Sequence, residues 1–211
     1  MRFSDHLDPR ISSAFEVILL STQAGVLFSV TFSNLLYFAC LYVKSINYFK
    51  VFNRMTFPKI GNLAPAFTLK NQAGVETSLK DFKGKKNVVL YFYPKASTPG
   101  CTVQACGIRD TRAEFELLET VVLGVSPDTS SKLKNFVDKY TLNFDLLADE
   151  DHVIAEKYGV WGLKKFMGRE FMGILRTSFI IDREGRLRHI LNKVNTKTHD
   201  QEVLKILRNG I

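Results

Sequence analysis

The stretch NVVLYFYPKASTPGCTVQAC, Asn87 to Cys106, decides the fold. Its first part, Asn87 to Tyr93, is an unbroken apolar run of strand length, the pattern of a strand buried on both faces of a sheet. Pro94 closes the run, and the turn-prone residues Ala96 to Gly100 follow. Thr98 suits a helix N-cap, and Pro99 then falls at the first helical position, where its missing N–H costs nothing. Cys101 is thereby placed in the first turn of a helix expected to run to about Leu118, with Ile108, Phe115 and Leu118 as apolar positions.

Outward from that segment, Val121 to Val125 reads as a second buried strand, and Ser130 opens a helix to about Tyr140 with Leu133, Phe136 and Val137 on one stripe. Phe144 to Leu147 is a short strand, and His152 to Tyr158 a short helix behind an acidic cap at Asp149. Ser178 to Ile181 and Leu187 to Leu191 flank Asp182-Arg183-Glu184-Gly185, a hairpin signal, and a last helix runs from about His199 to Arg208. Strands alternating with helices and closing on a hairpin plus helix give an α/β class, with helices flanking a mixed central sheet.

The chain changes character near residue 55, so residues 1–54 are read as an extension and 55–211 as the compact domain. Within the extension, the uncharged run 17–43 exceeds the roughly 20 residues that a helix needs to cross a bilayer. Its serines, threonines, Gln23 and Asn34 dilute it, and Asp5, Asp8 and Glu16 argue against a cleaved signal peptide. Two accounts follow: a start assigned too far upstream of Met55, or a membrane tether through 17–43. In the second, Lys44, Lys50, Arg54 and Lys59 after the run outnumber Arg2 and Arg10 before it, which places the domain in the cytoplasm.

Composition narrows the function. The 211 residues carry 29 basic and 21 acidic side chains, a net charge of +8. The surplus is dispersed, densest at Lys83, Lys85 and Lys86 with no aromatic residue interleaved, so nucleic acid is not expected as a partner. Three cysteines are too few for a disulfide framework and fit a reducing compartment.

Cys101 carries the chemistry. Free backbone N–H groups and the positive end of the helix dipole favour a thiolate at a helix start. The Thr98 hydroxyl is expected to reach the space in front of the sulfur, and Pro94 to wall off water. Cys106 is the second thiol, yet Cα atoms five residues apart on an ideal helix are roughly 8.7 Å apart. A disulfide wants less than about 7 Å, so the helix start must unwind before the two can join. A zinc site is the rival reading of the pair; four intervening residues and no nearby His or third Cys count against it.

The pattern Pro94-x-x-x-Thr98-x-x-Cys101 resembles the active-site motif of the peroxiredoxins, and TPGCTVQAC resembles the bacterioferritin comigratory protein, or peroxiredoxin Q, branch. The resemblance extends through APAFTL (Ala64 to Leu69), LLADED (Leu146 to Asp151), YGVWG (Tyr158 to Gly162) and RTSFIID (Arg176 to Asp182). It implies a thioredoxin-like fold and a thiol peroxidase acting on hydrogen peroxide and organic hydroperoxides. It also implies Cys101 as the peroxidatic and Cys106 as the resolving cysteine, joined in a redox-active disulfide, with Arg176 as the cation beside the sulfur. Thioredoxin is the implied reductant; a monomer is expected, and neither a metal nor an organic cofactor. The alternative is a peroxide sensor or relay that passes oxidation from Cys101 to a client protein.

Other residues have plainer readings. Asp149, Glu150 and Asp151 suit helix capping rather than a metal cluster. His152, His189 and His199 show no spacing that marks them as catalytic, Trp161 reads as a packing or contact residue, and Cys40 as a small apolar one.

Overall fold

The computed structural model describes residues 56–166 and 168–211. The extension and its run 17–43 lie outside the described residues; among those described, no helix is long and apolar enough to cross a membrane.

The strands are β1 (Thr68–Asn71), β2 (Glu76–Ser78), β3 (Asn87–Phe92), β4 (Thr120–Ser126), β5 (Asp145–Ala148), β6 (Trp161–Phe166), β7 (Arg169–Ile174), β8 (Thr177–Ile181) and β9 (Leu187–Leu191). The helices are α1 (Pro99–Asp110), α2 (Arg112–Leu117), α3 (Ser130–Tyr140), α4 (Val153–Lys157) and α5 (His199–Arg208), with a 3-10 turn at Leu79–Phe82. A seven-stranded sheet has the order β2-β1-β5-β4-β3-β8-β9, and β6 and β7 form a separate hairpin. β3 pairs parallel with β4 and antiparallel with β8, and β4 pairs parallel with β5, so the sheet is mixed as expected.

β3 shows why the apolar run reads as it does. Successive side chains point to opposite faces. Val88, Leu90 and Phe92 enter one core layer with Leu123, Phe179 and Tyr158. Val89, Tyr91 and Tyr93 enter the other, with Cys101, Ile108, Phe136 and Leu204. A strand sandwiched in this way has no room for a polar alternation. At its neighbour β4, Gly124 lets Tyr91 approach: an added Cβ would stand 2.8 Å from the phenol oxygen.

One expectation is corrected, and two strand pairs are new. The helix after Cys101 does not run unbroken to Leu118. It stops at Asp110 and restarts at Arg112, because Thr111 leaves the helical region (φ −101°, ψ 10°) and its hydroxyl donates back to the Gly107 carbonyl at 2.8 Å. The hairpin β6–β7 and the pair β1–β2 carry no strand signal in the sequence reading. β1 and β2 are short, and Leu163, Phe171 and Met172 of β6–β7 are exposed, so neither pair presents a buried apolar run.

The remaining elements agree closely. α3 spans the expected Ser130–Tyr140, with Leu133 and Phe136 buried and Thr129 capping Lys132 N–H. Asp149 caps as read, accepting from Ile154 N–H at 3.1 Å and Ala155 N–H at 2.8 Å. In the β8–β9 hairpin Gly185 takes φ +83°, a conformation that suits glycine. Its N–H donates to Asp182 C=O at 2.9 Å.

Candidate active site

The site forms where β3 ends and α1 begins. Thr98 occupies the N-cap with extended backbone (φ −82°, ψ 151°), Pro99 the first helical position and Cys101 the third. The first intrahelical bond runs from Thr102 N–H to Thr98 C=O at 2.8 Å, so the N–H groups of Gly100 and Cys101 precede the ladder. Ser97, just before the cap, sits at φ +60°, a left-handed conformation uncommon for a residue with a side chain.

The loop between strand and helix is pinned from below. Buried Asp128, just past β4, accepts from Ala96 N–H at 2.7 Å and from the Ser126 hydroxyl at 3.1 Å. Pro94 is half-buried at the exit of β3. Thr98 holds the N-cap position without using its side chain as the cap. Its hydroxyl makes no cap bond and donates instead to Lys95 C=O at 3.0 Å, closing the loop.

Cys101 is 2% exposed, and Arg176 Nη2 lies 3.2 Å from its Sγ. The sheet makes this contact across 75 residues of chain. β8 runs antiparallel to β3, pairing Thr177 with Phe92, so the residue before Thr177 arrives beside the end of β3 where α1 starts. Gly100 leaves space there; an added Cβ would stand 3.7 Å from Arg176 Nη2.

Behind the arginine is a network absent from the sequence reading. Arg176 Nη1 donates to Gln104 Oε1, Gln104 Nε2 meets His199 Nδ1 at 3.0 Å, and His199 Nε2 meets Ser178 Oγ at 2.7 Å. Gln104 has a readable signal. Cys101, Gln104, Ala105 and Ile108 form the buried stripe of α1 at helical spacing. His199 and Ser178 have none, since only tertiary structure brings α5 and β8 to that stripe.

Electrostatics follow burial. The buried His199 is pushed down to about 4, with neighbouring Asp200 opposing the shift and Arg176 adding to it. Tyr91, wholly buried beside Cys101, is pushed well above the usual phenol value. Lys164 of β6 is lowered by burial and by Arg176, and donates to Ile174 C=O at 3.0 Å. Lys164, Arg176, Phe57 and Leu175 wall an open cleft of about 650 Å³ that gives solvent a route to the guanidinium.

Cys106 is half-buried and, like Cys101, a free thiol. Both lie within the continuous helix α1, about 140° apart around its axis at ideal geometry. His152 stacks on Trp161 with ring centroids 3.7 Å apart, and His189 is exposed on β9; neither approaches the site's network. Among the described residues, no group of three or more His, Cys, Asp or Glu is placed to hold a metal ion.

A buried cysteine at a helix start, set against a guanidinium on a mixed α/β sheet, suits thiol-based oxidoreductase chemistry. The family model described as AhpC/TSA family matches residues 60–190. A bcp-type relative from Haemophilus influenzae is 54% identical over 149 residues, covering 71% of this chain and 96% of its own. Peroxiredoxin Bcp of Escherichia coli is 49% identical over 150 residues, with the same coverage of 71% and 96%. A solved structure of the Xanthomonas campestris bacterioferritin comigratory protein superposes with a TM-score of 0.64 at 31% identity, over 68% of this chain and 90% of that one. The chain belongs to the AhpC/TSA family, as a peroxiredoxin of thioredoxin-like fold, and is an oxidoreductase with peroxidase activity.

Proposed function

We propose that the domain 55–211 reduces hydrogen peroxide and organic hydroperoxides, with Cys101 as the attacking thiolate and Cys106 as the resolving thiol. The observation that carries this reading is the contact of 3.2 Å between the Arg176 guanidinium and Cys101 Sγ at the start of α1. The Xanthomonas campestris relative is described as having alkyl peroxide reduction activity, which supports organic hydroperoxides as substrates here.

The Cys101 sulfur attacks the terminal peroxide oxygen. The O–O bond breaks, Cys101 becomes a sulfenic acid, and the departing hydroxide or alkoxide takes a proton from solvent to leave water or an alcohol. Negative charge spreads from the sulfur over both oxygens as the bond breaks. Arg176 and the N–H groups at the helix start are fixed donors for that charge. The half-buried Pro94 limits water at the sulfur. Thr98 contributes as the N-cap, its hydroxyl turning from Lys95 C=O toward a bound peroxide.

Cys106 then displaces water from the sulfenic acid, forming the Cys101–Cys106 disulfide. Their angular separation on α1 requires its first turns to unwind before the bond can form. A dithiol reductant returns both thiols by exchange. We assign that role to thioredoxin, the chain to a monomer, and the domain to the cytoplasm. The positive residues after 17–43 and the small number of cysteines support a reducing side.

The test is a steady-state assay with peroxide, thioredoxin, thioredoxin reductase and NADPH. Sustained NADPH consumption is expected. Oxidation of Cys101 that stops after one equivalent, with transfer to a client protein, would favour the relay instead.

A further inference from the structure

We propose that His199 is a positioning residue for peroxide reduction, holding the Arg176 guanidinium against Cys101 Sγ through Gln104. The inference rests on Cys101 being the attacking sulfur and adds a part that neither the motif nor the family match assigns.

The polarity of every bond in the network is determined from one end. A guanidinium only donates, so Gln104 Oε1 must accept from Arg176. The Gln104 amide nitrogen then faces His199 Nδ1 at 3.0 Å as a donor, which requires Nδ1 to be unprotonated. His199 is therefore the neutral tautomer with its proton on Nε2, donating to Ser178 Oγ at 2.7 Å. Ser178 stands two residues beyond Arg176 on the same chain segment. The bonds thus close a ring, Arg176 to Gln104 to His199 to Ser178, tying α1 and α5 to β8.

Closure matters because of what Arg176 must do. A guanidinium on a long flexible stem loses its effect on charge at the sulfur if it wanders by an ångström. Gln104 holds one of its nitrogens, and Gln104 is in turn held only as firmly as His199 holds the other end of its amide. Gln104 is 1% exposed, His199 1% and Ser178 0%, so water cannot replace a missing partner cheaply. Removing the imidazole frees the amide to rotate, and rotation presents its NH2 to Arg176, donor against donor.

The groups facing His199 agree with a neutral ring. Tyr91 of β3 lies with its ring centroid 5.8 Å away, Asp200 follows it in α5, and Arg176 is the nearby cation. Burial outweighs Asp200 and holds the imidazole uncharged at neutral pH. Protonated His199 would offer a second donor to the Gln104 amide and break the ring.

The experiment uses reduced full-length protein and its His199→Ala, His199→Gln and Ser178→Ala variants. Three readouts are taken: the rate of Cys101 oxidation by hydrogen peroxide in stopped flow, the thiolate ultraviolet absorbance at neutral pH, and the thermal midpoint. His199→Ala should be oxidised about tenfold more slowly, the equivalent of about 1.4 kcal/mol for one lost buried hydrogen bond, with weaker thiolate absorbance. His199→Gln, which retains an acceptor for Gln104, should regain most of that rate. Ser178→Ala should fall between parent and His199→Ala, and it carries the test if His199→Ala does not fold. Variants that lose thermal stability but keep the parental rate and absorbance would overturn the proposal and leave His199 as packing. A parent protein that peroxide does not oxidise at Cys101 would instead overturn the peroxidase reading itself.

Discussion

The two halves of α1 make opposite use of one helix. Its first turns hold Cys101 and Gln104 on the buried stripe, tied to Arg176 and through His199 to α5. Its later turns carry Cys106 on a different, half-buried face, and end where Thr111 breaks the helix. Fixing a charge-stabilising geometry requires the first half to stay folded. Joining the two sulfurs requires it to come apart. On the proposed roles of Cys101 and Cys106, one element serves attack when intact and resolution when opened, and the network behind Arg176 is what opening must release.

The largest expected effect separates the two thiols. Cys101→Ser should abolish peroxide consumption, since a hydroxyl offers no thiolate at neutral pH. Cys106→Ser should still be oxidised once and stall as a sulfenic acid that a dimedone-type probe labels. Full thioredoxin-supported turnover in Cys101→Ser would erase the distinction between the two halves.

Next in size is Arg176. Arg176→Met keeps the length of the stem but removes every donor, and should slow Cys101 oxidation by about 10²-fold, as for loss of one donor to developing charge. Stopped-flow rates measure this directly. A loss below about threefold, small against the roughly 10²-fold typical of such donors, would mean that the helix start alone stabilises the charge.

A third effect concerns the tie between α1 and α5. His199 is held at about 4 in the folded protein, against about 6.5 when unfolded. Between those values the unfolded chain binds the extra proton, so stability falls as pH drops from about 6.5 towards 4 and is flat for this group above that window. The loss is about 3 kcal/mol in all, by the size of the shift. Denaturant midpoints across this range should show the slope in the parent and a reduced slope in His199→Gln. Equal slopes would uncouple His199 from the acid limb.

The smallest effect is local. Oxidised protein should exchange amides faster than reduced protein over residues 98–109, because closing the disulfide breaks helical bonds there. α3, which carries neither cysteine, should show no change. Equal protection over 98–109 with the disulfide confirmed by mass would show that the helix does not open.

How much of this is legible in sequence depends on whether neighbours in space are neighbours in chain. β3 is readable because both faces are buried, which leaves an uninterrupted apolar run. The position of Cys101 is readable because caps and Pro at the first helical position are local signals. β6 and β7 are not, since a two-stranded hairpin with exposed Leu163 and Phe171 lacks the burial that makes a pattern. Arg176 comes from the resemblance, not from spacing; its contact spans 75 residues. His199 shows no partner in the sequence because its partners, Gln104 and Ser178, stand 95 and 21 residues away.

The proposed chemistry turns on Cys101 taking the oxygen and Cys106 closing on it. The decisive measurement treats reduced protein with one equivalent of hydrogen peroxide, digests it without reductant and maps the peptides by mass spectrometry. A peptide pair linked Cys101 to Cys106 is expected in the parent, and a single oxygen on Cys101 in Cys106→Ser. An oxygen found first on Cys106, or a Cys101 that stays reduced while peroxide is consumed, would refute that division of roles.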